Sequence, residues 1–225
     1  MTLPGVGRGL GGCARRVKGA PVYAARIGGL GCCENRGAPM PDLFAPQAYN
    51  NAWSNHRLLR SCAALPAAEL SAPRPSFFGS IIAALNHILI VDWFYVSALE
   101  GACVGPQAFA DPVPCADISA LRAAQRDVDR RLIAVTEDAT LSDPARTVRM
   151  LRDSGAQEDR FDRTFLHLMQ HQIHHRGQVH GLLSMTDVPP PQLDEFYMSW
   201  DADASLRAPD FTEMGVTEAD IWAGR

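Results

Sequence analysis

Apolar residues recur at helical spacing along several stretches of the chain. Over residues 42–65 they return every three or four positions until Pro66 interrupts the pattern, which predicts a first helix. Residues 76–100 are almost wholly apolar and predict a second helix, with Ser76 as its N-cap and Gly101 at its end. Because a helix that is apolar on all sides is buried, we expect this second helix to be central.

Two further helices are predicted in the second half of the chain. Asp117 precedes an amphipathic stretch whose opposite face is charged, which predicts a peripheral third helix. The fourth helix should span residues 164–185 and carries five of the seven histidines. Before it, two short stretches flank residues 153–155 and form either a hairpin or an ordered loop. We therefore expect an all-α four-helix bundle, with at most a short hairpin before the last helix.

The two ends of the chain differ in composition from this central domain, residues 40–198. Residues 1–39 are rich in Gly and Arg, lack an apolar period and predict a flexible basic leader. Either Met40 is the true initiator, which we favour, or the leader is an Arg-rich targeting segment. Residues 199–225 read as an acidic C-terminal tail.

Composition and charge exclude several classes of protein. The chain is 47% hydrophobic and 20% charged, as in soluble globular proteins. Six of the 21 Lys and Arg residues but only one of the 25 acidic residues lie in residues 1–39, so the remainder is acidic and no nucleic-acid partner is expected. Asn86, His87 and Asp92 interrupt the apolar second helix, which favours a buried core helix over a membrane span. The six cysteines lack a disulfide or C-x-x-C pattern, so we expect a cytoplasmic protein.

Histidines on the fourth helix have the spacing of metal ligands. His171 and His175 are one turn apart on the same face, so two imidazoles could bind one ion. His87, in the apolar second helix, is the best candidate for a third ligand. The alternative is a packed or solvated histidine face, and His174 and His180 fit that description. We favour the metal because clustered neutral imidazoles on a buried stripe would otherwise leave nitrogens unsatisfied.

Known metalloenzyme motifs narrow the chemistry of this site. In the H-E-x-x-H pattern of zinc proteases, Gln172 replaces the catalytic Glu and cannot act as a general base. The inverted H-x-x-E-H form fails because His174 stands where Glu is required. The second and fourth helices carry no E-x-x-H pair of a di-iron bundle. We therefore expect a mononuclear site. Asp92 lies about 140° round the helix from His87, so it is a poor ligand and should instead cap a helix or pair, with Arg176 or with a histidine N–H.

Several of these segments together resemble the DinB/YfiT-like family of metal-dependent proteins. The resemblance covers roughly residues 42–198, and its most specific part is the H-x-x-x-H-R-G-Q segment from His171 to Gln178. The other matching segments are Tyr49–Asn55, Phe77–Ser80, Leu85–Asn86–His87, Asp92 and Glu100–Gly101.

The resemblance implies properties that the residue patterns alone do not give. It implies a DinB-like bundle of up-down-down-up type, commonly dimeric, with His87, His171 and His175 as ligands to one zinc, nickel or iron ion. Relatives with an assigned activity include thiol-dependent S-transferases and a mycothiol-dependent maleylpyruvate isomerase.

Three hypotheses for function follow. Three protein ligands leave a position open for water or a thiol, which favours a metal-dependent transferase or hydrolase acting on a small molecule. His167 is then the nearest candidate for a general base, and Gln178 could orient a bound ligand; the alternative for both is a packing or supporting role. The second hypothesis is a non-catalytic stress-response protein whose ion stabilises the bundle or senses metal or thiol status. A DNA-repair role rests on the family name alone, and the acidic body argues against it.

Overall fold

A computed structural model describes residues 42–198 and 204–222 of the chain, and the basic leader lies outside the described residues. The structure is mostly helical with one two-stranded sheet, which confirms the predicted helical character. The helices are α1 (Phe44–Cys62), α2 (Ala67–Ser71), α3 (Ile81–Leu99), α4 (Ile118–Glu137), α5 (Phe161–Leu183), α6 (Ala204–Met214) and α7 (Glu218–Trp222), with a 3₁₀ turn at Gly105–Phe109.

The four long helices α1, α3, α4 and α5 surround one apolar core. Helix α4 packs against α1 and α3, and α5 packs against the same two helices, so each long helix contacts two others. The core includes the fully buried side chains of Leu89, Leu132, Phe161 and Phe165. Each such burial stabilises the fold by about 1.5–3 kcal/mol relative to an exposed side chain.

Helix α3 is the central helix, as predicted, but it starts later than the sequence suggested. Its N-cap is Ser80, not Ser76, and the Ser80 hydroxyl accepts a hydrogen bond from the Ala83 backbone N–H at 3.3 Å. The chain turns just before this cap at Gly79, whose φ of 76° suits glycine, and therefore Ser76 lies outside the helix. Gly101, with φ of 86°, follows its C-terminus as expected.

The same helix is long and apolar enough to cross a membrane by length and composition. However, 83% of its apolar window is buried inside the structure. Its neighbours α4 and α5 cover it, so its composition is that of a core helix.

The segment between α4 and α5 forms the hairpin that the sequence allowed. Strands β1 (Thr147–Arg152) and β2 (Gly155–Arg160) pair antiparallel, with Arg152 opposite Gly155 at the turn. Val148 and Met150 of β1 are buried, and β1 contacts α3. Strand β2 continues directly into α5, which explains why α5 begins at Phe161, earlier than the predicted Thr164.

The C-terminal residues contain two helices that the sequence analysis did not foresee. Helices α6 and α7 both contact α1. A second, smaller apolar cluster holds them there, formed by Tyr49, Trp53, Phe196, Phe211 and Ile221.

An ion pair strengthens the contact between α6 and α1. Asp210 of α6 is only 1% exposed and lies 2.9 Å from the Arg57 guanidinium and 2.6 Å from that of Arg60. Both arginines belong to α1, so the buried carboxylate is compensated by charges from the neighbouring helix.

Candidate metal centre

The packing of α3 against α5 brings three histidines together. His87 projects from α3, and His171 and His175 project from successive turns of α5. The Nε2 atoms of His87 and His171 are 3.0 Å apart, and one ligand atom from each of the three residues lies within 4.8 Å of the others. The histidine cluster that the sequence predicted is therefore present as a geometric unit.

The environment of these imidazoles favours their neutral form. Burial, and next the neighbouring His175, lower the pKa of His87 to about 4. Burial, together with the charges of His175 and His87, lowers the pKa of His171 to about 3. Burial also lowers the pKa of His175. At neutral pH all three rings therefore have a lone pair available, which is the state that binds a metal ion.

The cluster is chemically incomplete without a ligand. Two neutral imidazoles that meet nitrogen to nitrogen can share only one proton, as His87 and His171 do here. The third ring, His175, therefore has no hydrogen bond to make with this pair. The Nδ1 atom of His171 is buried and has no hydrogen-bond partner among the described residues. Three imidazole nitrogens form a donor set that suits zinc, nickel, copper or iron, so these residues fit such an ion.

Gln178 and Phe78 fix the orientation of the histidine rings. The Nδ1 atom of His175 lies 2.8 Å from the Gln178 side-chain oxygen, which can only accept, so Nδ1 donates and Nε2 keeps its lone pair. The Gln178 amide nitrogen in turn lies 3.2 Å from Nε2 of His174. The Phe78 ring packs against His87 and His175, with centroids 4.6 and 5.2 Å away. Phe78 belongs to the Phe77–Ser80 segment that carries the family resemblance, but the sequence analysis assigned it no role at the site.

His167 lies beside the cluster but is not part of it. It is exposed, one turn before His171, and its ring centroid is 5.3 Å from that of Tyr95. Both rings line an open groove of about 260 Å³ that also includes Arg152 and Arg163. The remaining histidine of α5, His180, contacts the Pro191 carbonyl at 2.9 Å, which agrees with a hydrogen-bonded rather than a ligand role.

Asp92 lies close enough to Arg176, its expected partner, for the two charges to interact, but its hydrogen bonds are with other residues. It forms no hydrogen bond with Arg176 or with a histidine among the described residues. Instead its two carboxylate oxygens accept from the amides of Gln172, at 2.5 Å, and Gln125, at 2.6 Å. Burial, and next the charge of Asp129, raise the pKa of Asp92. Gln172 thus has a structural role in the interior. The sequence analysis noted only that Gln172 replaces the catalytic Glu of the H-E-x-x-H pattern, which did not suggest this role.

Arg176, one turn after Gln172 on α5, makes its hydrogen bonds to α1. Its guanidinium is buried and donates to the side-chain oxygens of Asn51 and Asn55 in α1, the second at 3.0 Å. The amides of these two asparagines donate to Asp129 of α4 at 3.2 and 2.9 Å. A sequence signal for this network did exist, because Asn51 and Asn55 are polar residues four apart on an otherwise buried helix face.

Comparison with known proteins identifies a family. The profile of the DinB family matches residues 42–210, more than half of the chain. No curated protein matches the chain. The matched range contains all three clustered histidines and extends into α6, beyond the end of the resemblance seen in the sequence.

Proposed function

Because the chain belongs to the DinB family, we propose that it binds one divalent transition-metal ion and uses it in a transfer or hydrolysis reaction on a small molecule. The observation that carries this proposal is the set of three neutral imidazoles from two packed helices, with their ligand atoms within 4.8 Å. The ion is zinc, nickel or iron, held by His87, His171 and His175.

Three protein ligands support a catalytic rather than a closed structural site. Structural zinc sites usually have four protein ligands, whereas catalytic sites leave a position for water or substrate. A bound ion supplies Lewis-acid chemistry by lowering the pKa of a water or a thiol. A low-molecular-weight thiol is the substrate class that we favour for this position.

The residues around the cluster have distinct proposed roles. Gln178 is a positioning residue, since it holds Nδ1 of His175 and so presents Nε2 to the cluster. His167 is the proposed general base, because it is exposed in the groove one turn from His171 and can take a proton at its free nitrogen.

The proposals for helix order, cellular location and oligomeric state are based on membership of the family. We propose that the four long helices form the DinB-type bundle with up-down-down-up order, that the protein is cytoplasmic, and that it is a homodimer. No nucleic-acid or membrane partner is proposed, because the basic residues are not concentrated in the acidic body of the chain.

The second candidate function is that of a non-catalytic metal-binding protein, and it is supported by the fact that the three histidines come from two different helices. His87 comes from α3 and the other two histidines from α5, so a bound ion would link two core helices. Such an ion would stabilise the fold even without turnover, as in a metal or thiol sensor. A large fall in melting temperature on chelation, combined with no turnover of thiol or ester substrates by the metal-loaded protein, would favour this candidate.

Metal analysis of the purified full chain tests the proposed site directly. The protein is loaded with zinc, nickel or iron, dialysed and measured by elemental mass spectrometry. We expect one ion per chain in the wild type, loss of the ion in His171→Ala, and retention in His180→Ala. His180 is a matched control because it lies on the same helix, outside the cluster, and its hydrogen bond is to the Pro191 carbonyl. Stoichiometric metal in His171→Ala, or none in the wild type, would contradict the proposal.

A further inference from the structure

The groove beside His167 extends the seam between α3 and α5 away from the histidine cluster. Its volume is about 260 Å³, and α3, the hairpin and α5 all contribute to its wall. Tyr95 lies eight residues after His87 on α3, about 12 Å along the helix axis. On α5, His167 lies one turn before His171, close enough for its charge to affect the pKa of His171. A ligand that occupies the cluster can therefore extend into this groove.

Tyr95 and Arg152 form a fixed pair of hydrogen-bond donors in the groove. The Arg152 guanidinium donates to the Tyr95 hydroxyl at 2.7 Å and lies over the Phe94 ring, 4.9 Å from its centroid. Tyr95 is only 7% exposed. Its hydroxyl oxygen accepts the bond from Arg152, while the hydroxyl proton has no acceptor among the described residues. An oxygen atom of a bound ligand would supply that acceptor.

The charge of Arg152 has no carboxylate partner. Within the part of the chain that the structure describes, this residue forms no salt bridge. Asp159 also lines the groove, but its carboxylate pairs with Arg163 at 3.7 Å and accepts from the backbone N–H of Arg160 at 2.7 Å. Although Arg152 is exposed, its contacts with the two aromatic rings of α3 hold the guanidinium against the wall of the groove.

Glu158 contributes to the wall of the groove from β2, but its side chain belongs to the other face of the hairpin. In the strand register Glu158 lies opposite Arg149, and both alternate with the buried residues Val148 and Met150 of β1. Because successive side chains of a strand point to opposite faces, Arg152 shares the inner face with Met150, whereas Glu158 does not. The positive charge of Arg152 is therefore available to a ligand in the groove.

We infer that Arg152 and Tyr95 are a carboxylate anchor, and that the thiol bound at the histidine cluster is an acid of about tripeptide length. The thiol is the substrate class of the proposed function, on which this inference rests. A carboxylate accepts from a guanidinium and a hydroxyl together, and charge-assisted bonds of this kind are strong. An extended chain covers about 3.3–3.6 Å per residue, so a thiol that spans about 12 Å has the length of a tripeptide. Shorter thiol acids reach either the cluster or the anchor, but not both.

Titration of the cobalt-loaded full chain with two peptide thiols tests the inference. Acetyl-Cys-Gly-Gly ends in a carboxylate, and its C-terminal amide is a neutral compound of the same length. Cobalt replaces zinc as a spectroscopic probe, and the thiolate-to-cobalt absorption band measures the affinity of each compound for the histidine cluster. We expect the acid to bind at least about tenfold more tightly than the amide, because only the acid forms a charge-assisted contact with the anchor.

Substitutions of two arginines on the same strand locate the anchor. Arg152→Gln should make the acid and the amide bind with equal affinity. The control Arg149→Gln removes the same charge from the outer face of β1 and should keep the wild-type difference. Tyr95→Phe loses only the hydroxyl and should reduce the difference partly. Acetylcysteine is too short to reach the anchor, so its affinity should be the same in the wild type and in both arginine variants. Circular dichroism establishes that each variant is folded.

Two results with the cobalt-loaded chain would overturn the inference and leave the proposed metal site unaffected. One is equal affinity of the acid and the amide for the wild type. The other is the same affinity of the acid for Arg152→Gln and Arg149→Gln. Absence of the cobalt band with every thiol would instead contradict the proposed function. Ligand-observed NMR of acetyl-Cys-Gly-Gly with the metal-free chain tests the anchor separately, since its saturable binding should be lost in Arg152→Gln and retained in Arg149→Gln.

Discussion

The Nε2 atoms of His87 and His171 face each other at 3.0 Å across the interface between α3 and α5. The two residues are 84 positions apart in the chain, so a ligand shared between them links distant segments. The closeness of the two rings limits which ligands fit between them. A ligand bound there would also hold α3 and α5 together.

Metal removal should lower the thermal stability of the protein. An ion present at about 100 times its Kd stabilises the folded state by about 2.7 kcal/mol. For a chain of this size that corresponds to a fall of about 5–10 °C in Tm when a chelator is added. Differential scanning calorimetry with and without EDTA measures it. His171→Ala should show the lower Tm and no response to EDTA, whereas an unchanged wild-type Tm would argue against a bound ion.

Gln178→Ala should weaken metal binding without unfolding the protein. The substitution removes the oxygen that holds Nδ1 of His175 and so frees the ring to rotate. Loss of such a supporting hydrogen bond typically costs about 10–100-fold in metal affinity. Competition with a chromophoric chelator measures the affinity. Gln170→Ala, on an exposed position of the same helix, is the control. Equal affinities in the two variants would contradict the positioning role of Gln178.

The buried carboxyl of Asp92 should make stability depend on pH in a defined direction. Its folded-state pKa is raised by burial and by Asp129, so the folded protein binds this proton more tightly than the unfolded chain does. The associated stability is present below about pH 4 and is lost as pH rises through the folded-state pKa.

Replacement of this residue by Asn isolates that contribution. Between about pH 5 and 9, the free energy of unfolding of Asp92→Asn should rise relative to that of the wild type, by more than about 1 kcal/mol. Urea denaturation in the presence of a chelator measures both proteins. Asp127→Asn, at an exposed position of α4, should show no such trend. A difference that is constant with pH would show that the carboxyl does not titrate in this range.

The ion pair of Asp210 should hold the C-terminal helices against α1. Asp210→Asn leaves Arg57 and Arg60 without their buried partner and should destabilise the protein by about 1–3 kcal/mol. Glu213→Gln, at a position where the side chain is 52% exposed, should have a much smaller effect. Chemical denaturation measures both. Equal stabilities of the two variants would show that the buried pair contributes little.

Limited proteolysis provides an independent measurement of the same contact. If Asp210 secures α6 on α1, the Asn variant should be cleaved faster than the wild type in the residues after Met198. The Glu213 variant should be cleaved at the wild-type rate.

Local periodicity was sufficient to predict the long helices and part of the site. The four-residue spacing of His171 and His175 places both rings on one helix face, whatever surrounds the helix. His87 could be identified because a histidine inside a buried apolar helix requires a polar partner. For the same reason, the hydrophobic pattern predicted the central position of α3.

The features that were missed depend on contacts between distant residues. Asn55 and Arg176 are 121 positions apart, and nothing in either local sequence specifies the other. The pairing of Gln172 with Asp92 likewise depends on the relative rotation of two helices. Helices α6 and α7 are short, and tertiary contacts with α1 stabilise them more than their weak periodicity does.

The hydrogen bonds of Arg176 have a consequence for its neighbour His175. Arg176 is anchored to α1, while His175 faces α3, so α5 cannot turn about its axis without leaving a buried guanidinium unpaired. The imidazoles are consequently directed at one another before any ion arrives. Such preorganisation reduces the conformational entropy lost on association, so the fold itself should raise the affinity of the proposed site for a metal ion.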